Sequence, residues 1–384
     1  MEKRVLMVAT VPSMIGQFNM NNIQILLDMG YQVDVGADFT DTSIWPVEHV
    51  QRFKEQMKKL GIECIQLDFS RNPLRVSRHF RSFRESVRLI NERKYLFIHT
   101  HTPIASAIVR KAAHKTGTKV IYTAHGFHFY DGAPLKNWLI FYPIEKICSR
   151  YTDVLITITK EDYERANKKF SAKKTVYIPG VGVDTERFAP RQSGRERIRT
   201  ELGIGADQIM LLSVGELNEN KNHETVIKAI RKIKNITYVI VGKGELTDNL
   251  KQIAADNDVD VRLVGFRRDV ADFYDAADIY ILPSIREGLN VSLMEAMASA
   301  LPCLCGNIRG NVDLVDEGSG GYLFSPSSVE NIREIVEKSV KLTKEERQEQ
   351  GDYNMKKIRS FDLQTVENAM SQIYRELGAS YGSL

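Results

Sequence analysis

Cysteine is scarce in this chain: four in 384 residues, Cys64, Cys148, Cys303 and Cys305. A disulfide framework is therefore excluded as the main source of stability, and four reduced, structural thiols in a cytoplasmic protein are expected. Cys303 and Cys305 sit two apart in an apolar run and share one strand face. No ligand cluster accompanies the cysteines or His99 and His101, so no metal site is expected. Long apolar runs are also missing. No stretch of 18 apolar residues occurs, which excludes a membrane-spanning helix. The start, Met-Glu-Lys-Arg-Val-Leu-Met-Val, carries no signal-peptide pattern and runs straight into a strand pattern. A full dinucleotide fingerprint is absent too. Gly242-Lys-Gly-Glu245 is half of one, with Leu246 and Thr247 where the third glycine belongs, so a dehydrogenase is the least expected reading. Nor is there a nucleic-acid motif or an aromatic stacking run, and no nucleic-acid partner is expected.

Charge is present in near balance, at a formal +4, but unevenly placed. Residues 1–190 hold 28 Lys+Arg against 19 Asp+Glu, whereas the remainder hold 25 against 30. Part of the basic excess is concentrated at Arg71, Arg75, Arg78, Arg81, Arg84 and Arg88. On a helix this spacing makes one continuous stripe, with Phe80, Phe83 and Val87 between the arginines. Such a stripe fits an anionic membrane surface or a phosphorylated acceptor. A solvated helix face is the competing reading.

At this length two domains are expected. Apolar, β-branched runs alternate with helix-length stretches: Arg4–Thr10, Gln32–Ala37, Cys64–Phe69, Leu96–His101, Lys119–His125, Val154–Thr159 and Thr175–Pro179. A Gly-rich segment at 179–184 and a linker-like segment at 188–194 follow. A second series then begins: Ile209–Gly215, Tyr238–Gly242, Val261–Phe266, Ile279–Ser284, Pro302–Gly306 and Gly321–Phe324. The reading is α/β, with two Rossmann-like domains at 1–187 and 188–360. Ligands of such sheets bind at the carboxyl ends of the strands.

Several constellations stand at those ends. The run 283–302 holds two carboxylates, Glu287 and Glu295, around a helix start near Asn290. Free N–H groups and a positive dipole end suit a phosphate there. Glu287 can reach a hydroxylated ligand, and Glu295, among Leu293, Met294 and Met297, needs a polar partner. Together they suggest a nucleotide-sugar pocket; a loop Glu and a solvated helix Glu are the alternative. In Ser213–Asn222, Gly215 permits close backbone approach, and Lys221 stands before the next helix, where a diphosphate would lie. Val264–Asp269 closes another strand, and its backbone can read a base edge. Asp258-Val-Asp260 lies before a strand, at the wrong end, and is read as solvated. In the first half, Thr123-Ala-His-Gly-Phe-His-Phe129 ends a strand, which makes His125 a pocket candidate and His128 a second. Gly16, in Pro12-Ser-Met-Ile-Gly16, can bring a loop backbone close to a ligand.

Taken together, these residues resemble the retaining, family 4 glycosyltransferases of GT-B fold, over essentially the whole chain and most strongly from Ser213 to Gly321. The E-x7-E motif stands as Glu287 and Glu295, beside Ala277-Asp278, Pro283-Ser284, Glu287-Gly288 and Leu293-Met-Glu-Ala-Met297. The resemblance implies two Rossmann-like domains facing a central cleft, with the C-terminal helix, about 361–380, packed back on the first. It implies a hexosyl- or N-acetylhexosaminyltransferase that uses a nucleotide sugar, commonly a UDP-sugar, without a metal or other cofactor. Lys221 would contact the diphosphate, Glu287 the donor sugar, and Gly288, Leu289, Asn290 and Val291 the sugar or phosphate. Glu295 would hold the ribose. His125 would face the donor sugar, and Gly16 would lie over the diphosphate and acceptor. Where the family usually carries an Arg beside Gly215, this chain has Glu216, so weaker donor binding is expected unless Arg267, Arg268 or Arg286 compensates or Glu216 points away. The family's Gly-Gly loop is reduced to Gly16.

The expected reaction is transfer to an acceptor hydroxyl with retained configuration, on a lipid-linked or oligosaccharide acceptor, as in surface-polysaccharide assembly. The place would be the inner face of a membrane. Two other readings stay open: a sugar-nucleotide epimerase or hydrolase of the same fold, and a non-catalytic partner protein.

Overall fold

The computed structural model describes residues 3–379. Two compact units emerge: Met1–Val181 with Gln364–Leu384, and Gly182–Leu363. The first break falls at 181/182, a few residues before the linker-like segment. The reason is local pairing. Val183 N–H donates to Phe361 O and Leu363 N–H donates to Val183 O, while Thr185 Oγ1 donates to Asp362 Oδ2. Residues 183–185 are thereby tied to the end of the second unit.

The first unit alternates strand and helix: β1 (Arg4–Val8), α1 (Pro12–Phe18), α2 (Met20–Asp28), β2 (Gln32–Ala37), α3 (Val47–Lys59), β3 (Glu63–Gln66), α4 (Val76–Arg93), β4 (Phe97–Thr100), α5 (Pro103–Thr116), β5 (Lys119–Ala124), α6 (Leu135–Ser149), β6 (Val154–Thr157), α7 (Lys160–Lys169) and β7 (Lys174–Tyr177). The strands form a parallel sheet in the order β3-β2-β1-β4-β5-β6-β7. Because side chains alternate along a strand, each strand feeds two cores. Val5, Met7, Phe97 and Ile121 face one way, into the layer that holds α1, α2 and α3. Leu6, Val8, Ile98 and Val120 face the other, against α4 and α5. The second layer continues to α6 through a buried ion pair, Arg110 Nη2 to Glu145 Oε2 at 2.7 Å. Tyr122 caps it by donating to Glu145 Oε1, so both charges are hydrogen-bonded rather than stranded.

The second unit comprises α8 (Gln192–Leu202), β8 (Ile209–Val214), α9 (His223–Ile230), β9 (Ile236–Val241), α10 (Thr247–Asp256), β10 (Val261–Gly265), α11 (Val270–Ala276), β11 (Ile279–Leu282), α12 (Val291–Ala298), β12 (Cys303–Gly306), α13 (Asn311–Leu314), β13 (Gly321–Phe324), α14 (Val329–Val340) and α15 (Lys344–Ile358). Its parallel sheet runs β10-β9-β8-β11-β12-β13. The last helix, α16 (Leu363–Ala379), packs in the first unit. Tyr374 stacks on Phe97, with ring centroids 5.7 Å apart, and its hydroxyl meets His99 Nδ1 at 2.8 Å.

Each sheet reverses its strand order once, between β1 and β4 in the first unit and between β8 and β11 in the second. At such a reversal the two following loops leave in opposite directions. A crevice opens there at the carboxyl ends, where ligands of open α/β sheets bind.

Candidate active site

The reversal in the second unit gathers most of the residues singled out from the sequence. After β8 the chain passes Gly215, and a 3-10 turn, Glu219–Lys221, delivers Lys221. A Cβ at Gly215 would lie 3.2 Å from Lys221 Cε, so the bare backbone lets the lysine lie along the strand end. After β11 the chain passes Glu287. The two meet: Lys221 Nζ donates to Glu287 Oε1 at 2.6 Å, with side chains only 16% and 14% exposed.

Their meeting is organised by asparagines that sequence reading passed over. Asn222 adopts a left-handed conformation, φ +56°. Its Nδ2 donates to Pro283 O and Pro326 O at 3.1 and 2.8 Å. Asn220 Nδ2 donates to Arg286 O, and Ile285 N–H donates to Asn220 O. The loop after β8 is thus laced to the loop after β11. The only sequence signal was Asn itself, the non-glycine residue most at ease at positive φ.

Next to this pair, α12 begins as its pattern predicts. Asn290 Oδ1 accepts from Leu293 N–H at 3.0 Å, an N-cap. Ser292 Oγ is held by Tyr280 and by Val214 O. The first turn of α12 is thereby held at the end of β8, its N-cap three residues past Glu287, with its positive helix end at the strand reversal. Gly288 is approached closely by the turn before α13. A Cβ at Gly310, whose φ is +83°, would lie 1.7 Å from Gly288 O. One turn into α12, Glu295 finds its polar partner in Tyr274, whose hydroxyl donates at 2.8 Å. Burial pushes the Glu295 carboxyl above the usual carboxylate range, against the Tyr274 hydrogen bond and Arg187.

Among the other charged residues, Arg267 departs from its expected role. Glu216 does not oppose Lys221: its side chain is exposed and Oε2 accepts from Asn218 Nδ2 at 3.0 Å. Arg267 is committed elsewhere, to Glu201 (2.6 Å) and Asp269 (2.9 Å), and four hydrogen bonds fix its fork there. Arg268 and Arg286 are exposed. Asp258 and Asp260 lie at the amino end of β10, away from the strand carboxyl ends as their position before the strand implies, and Asp260 pairs with Arg262. Among the described residues no group of His, Cys, Asp and Glu could hold a metal ion.

In the first unit, Gly16 is not on a loop. Pro12 starts a helix, and Gly16 lies inside it. A Cβ there would sit 2.4 Å from Trp45 Cη2, so this glycine makes room for an indole. His125 stands at the end of β5, half-buried, with Nε2 3.3 Å from His101 Nδ1. Burial lowers its pKa to about 4 and that of His99 to about 3. Both rings are neutral near pH 7. His128 is exposed and stacks on Phe141 of α6.

A cavity of about 330 Å³ opens at the β1/β4 reversal, lined by Thr10, Val11, Met14, Phe18, Thr102, His128 and Phe141 among others. Arg71 lines it too. Its Nη2 donates to Ser43 Oγ at 2.6 Å and its Nε lies 3.6 Å from Asp41.

The arginine stripe is broken. α4 begins at Val76, so Arg71 and Arg75 precede it. Asn72 forms the turn that delays the helix: Leu74 N–H donates to its Oδ1, and Pro73 follows it. Arg78 is bound by Asp38 and Asp68, while Arg81, Arg84 and Arg88 remain on the exposed face.

The comparisons with known proteins decide the family. The model of glycosyl transferases group 1 matches residues 194–357, and that of glycosyltransferase family 4 matches residues 20–187. A putative glycosyltransferase of Bacillus subtilis, EpsD, is 34% identical over 335 residues, 84% of each chain. The chain belongs to glycosyltransferase family 4. This glycosyltransferase also resembles an Escherichia coli enzyme, UDP-Gal:alpha-D-GlcNAc-diphosphoundecaprenol alpha-1,3-galactosyltransferase. The two are 31% identical over 64% of this chain and 66% of that one. Among solved structures, Anabaena HepE in complex with UDP and glucose superposes with a TM-score of 0.76 at 17% identity, over 98% of this chain and 100% of that one. That likeness concerns the fold, which is GT-B. No helix among the described residues of the family 4 enzyme is long and apolar enough to cross a membrane.

Proposed function

We propose that this glycosyltransferase moves a hexosyl or N-acetylhexosaminyl group from a UDP-sugar to a hydroxyl of a lipid-linked glycan, with retention, in surface-polysaccharide synthesis. The observation that carries the reading is the Lys221–Glu287 pair beside the amino end of α12, at the strand reversal. A nucleoside diphosphate needs cationic and N–H neutralisation as its bond to the sugar breaks, and Lys221 with the first turn of α12 offers both without a metal ion. When the diphosphate takes Lys221, Glu287 is released to accept hydrogen bonds from the sugar hydroxyls. Glu295, one turn deeper, is the ribose ligand in this reading.

In this reading the acceptor oxygen bonds to the anomeric carbon on the face that the diphosphate leaves. The C–O bond to the β-phosphate breaks, and the acceptor proton passes to the departing phosphate. Glu287, paired with a lysine, serves as a sugar ligand rather than a nucleophile.

Two observations support the lipid-linked acceptor. One is the largely apolar cavity of the first unit, with Arg71 at its wall. The other is the Escherichia coli relative, whose name states a diphosphoundecaprenol substrate. A cytoplasmic-face, peripheral membrane location follows from the same chemistry, with Arg75, Arg81, Arg84 and Arg88 facing anionic headgroups. The test is UDP release from a panel of UDP-sugars with and without a polyprenyl-diphosphate-linked sugar, together with Glu287→Ala. Acceptor-dependent release abolished by Glu287→Ala is expected. Release that ignores the acceptor would turn the reading to a hydrolase, and undiminished transfer by Glu287→Ala would remove it.

A further inference from the structure

Helix α6 presents a feature that glycosyl transfer does not use. Its sequence, LKNWLIFYPIEKICS, is apolar nearly all round. A helix of that kind is normally enclosed by protein or by lipid. Its inner half is enclosed: Trp138, Phe141 and Tyr142 pack against Phe129 and its neighbours. Its outer half is not. Leu135 is 72% exposed, Leu139 69% and Ile147 54%, and Ile140 and Ile144 are exposed between them. Leu135 with Leu139, and Ile140 with Ile144 and Ile147, recur at four- and three-residue spacing and together cover the outer half of the helix. Isolated exposed apolar residues mean nothing, but a contiguous stripe of five on one helix marks a contact surface.

The charges beside the stripe say what it contacts. Lys136, Lys146 and Arg150 are exposed on the same half of the helix or just past its end. The helix's single carboxylate, Glu145, is turned inward and consumed by Arg110. The neighbouring helix α5 adds Lys111 and Lys115, exposed and poised over Phe83 of α4, and has no acid of its own. On α4, Glu85 and Glu92 stand among Arg81, Arg84 and Arg88, and the exposed Phe80 projects beside them. A partner that is at once apolar and anionic over three adjacent helices is a bilayer surface with acidic headgroups.

We propose that α6 is the element that enters the bilayer. Its outer stripe lies among the acyl chains just below the headgroups, and the cations of α4, α5 and α6 pair with lipid phosphates. This rests on the membrane location proposed above and moves the apolar anchor from the arginine stripe to α6. It also links anchor and pocket. Phe141, on the inner half of α6, lines the cavity at the β1/β4 reversal, so an acceptor held by its lipid reaches that cavity along the inserted helix.

The experiment is flotation with vesicles of phosphatidylcholine, with and without phosphatidylglycerol. It compares the wild-type chain, Leu139→Asn/Ile147→Asn, Arg84→Gln/Arg88→Gln and a control, Leu60→Asn, on the C-terminal end of α3. Both altered α6 positions are exposed, so the fold survives, which UDP binding and melting verify. We expect the wild type and the control to float with phosphatidylglycerol vesicles, and the α6 variant to lose at least about tenfold in partitioning. A solvatochromic dye on Leu139→Cys should shift to the blue on those vesicles. Wild-type flotation unaltered by the α6 substitutions but lost in the arginine variant would overturn the role of α6 while leaving the membrane location standing. A wild type that does not float would remove both. A lipid-free dimer split by Leu139→Asn/Ile147→Asn would assign the stripe to a second copy of the chain and overturn the proposal.

Discussion

Glu287→Gln separates the two jobs that the structure gives this carboxylate. The substitution keeps volume and one acceptor oxygen but removes the charge facing Lys221. An exposed ion pair is worth about 0–1 kcal/mol, and breaking a fully buried one by deleting a partner costs about 3–5 kcal/mol. With side chains 16% and 14% exposed at 2.6 Å, this pair stands between, at about 2 kcal/mol. The ligand-free protein should melt about 4–8 °C lower. Binding of UDP should move the other way. UDP has no sugar for Glu287 to hold, and in the wild type its diphosphate must draw Lys221 from a carboxylate. Without that competition UDP should bind about tenfold tighter, roughly 1.4 kcal/mol of the same pairing energy. Transfer of a sugar should nevertheless fall at least about 100-fold, because the sugar hydroxyls lose their charged acceptor. Calorimetric titration with UDP, thermal melting and a coupled UDP-release assay measure the three quantities. Lys221→Met and the double variant complete a cycle whose coupling should also be about 2 kcal/mol. Additive effects on melting, with UDP affinity unchanged or weaker in Glu287→Gln, would refute the claim that the pair is a latch opened by diphosphate.

Three further outcomes follow from the same geometry. Asn222→Ala removes three side-chain hydrogen bonds, to Pro283 O, Pro326 O and Thr225 Oγ1, and places alanine at positive φ, and should cost about 3–4 kcal/mol of stability; Asn222→Gly should recover the backbone part only, and an identical loss in both, read by melting, would contradict the strain. Gly310→Ala drives a methyl into Gly288 O and should abolish UDP binding by titration while circular dichroism stays native; retained binding would mean that the Gly288 segment moves freely. Burial holds His125 at about pKa 4 and His99 and His223 at about 3, so the unfolded chain binds protons first as pH falls. Stability should be full above pH 6.5 and decline from there toward pH 4, and His125→Gln should flatten that slope in melting curves; an unaltered slope would show that His125 is not among the groups responsible.

The strands and the helix start at Asn290 were legible because their causes are local. A buried parallel strand needs only a short apolar run, and an N-cap needs only one side chain and the next turn. Lys221 and Glu287 were legible for the related reason that each follows a strand, and the strand reversal makes them neighbours. What the sequence concealed depends on residues far away in the chain. Arg78 reads as free until Asp38 and Asp68 claim it, and Arg267 reads as a phosphate ligand until Glu201 does. Gly16 reads as a loop glycine until Trp45 fills the space beside it. Helix α6 is the reverse case. An apolar run with one acid inside it reads as core, and half of it is core. That its other half stays uncovered is a fact about which neighbours the sheet order supplies: α5 reaches its inner side through Arg110, and among the described residues nothing covers Leu139, which is 69% exposed. Pattern sets how much surface a helix must hide, topology sets how much the fold hides, and on α6 the difference is left for a partner outside the chain.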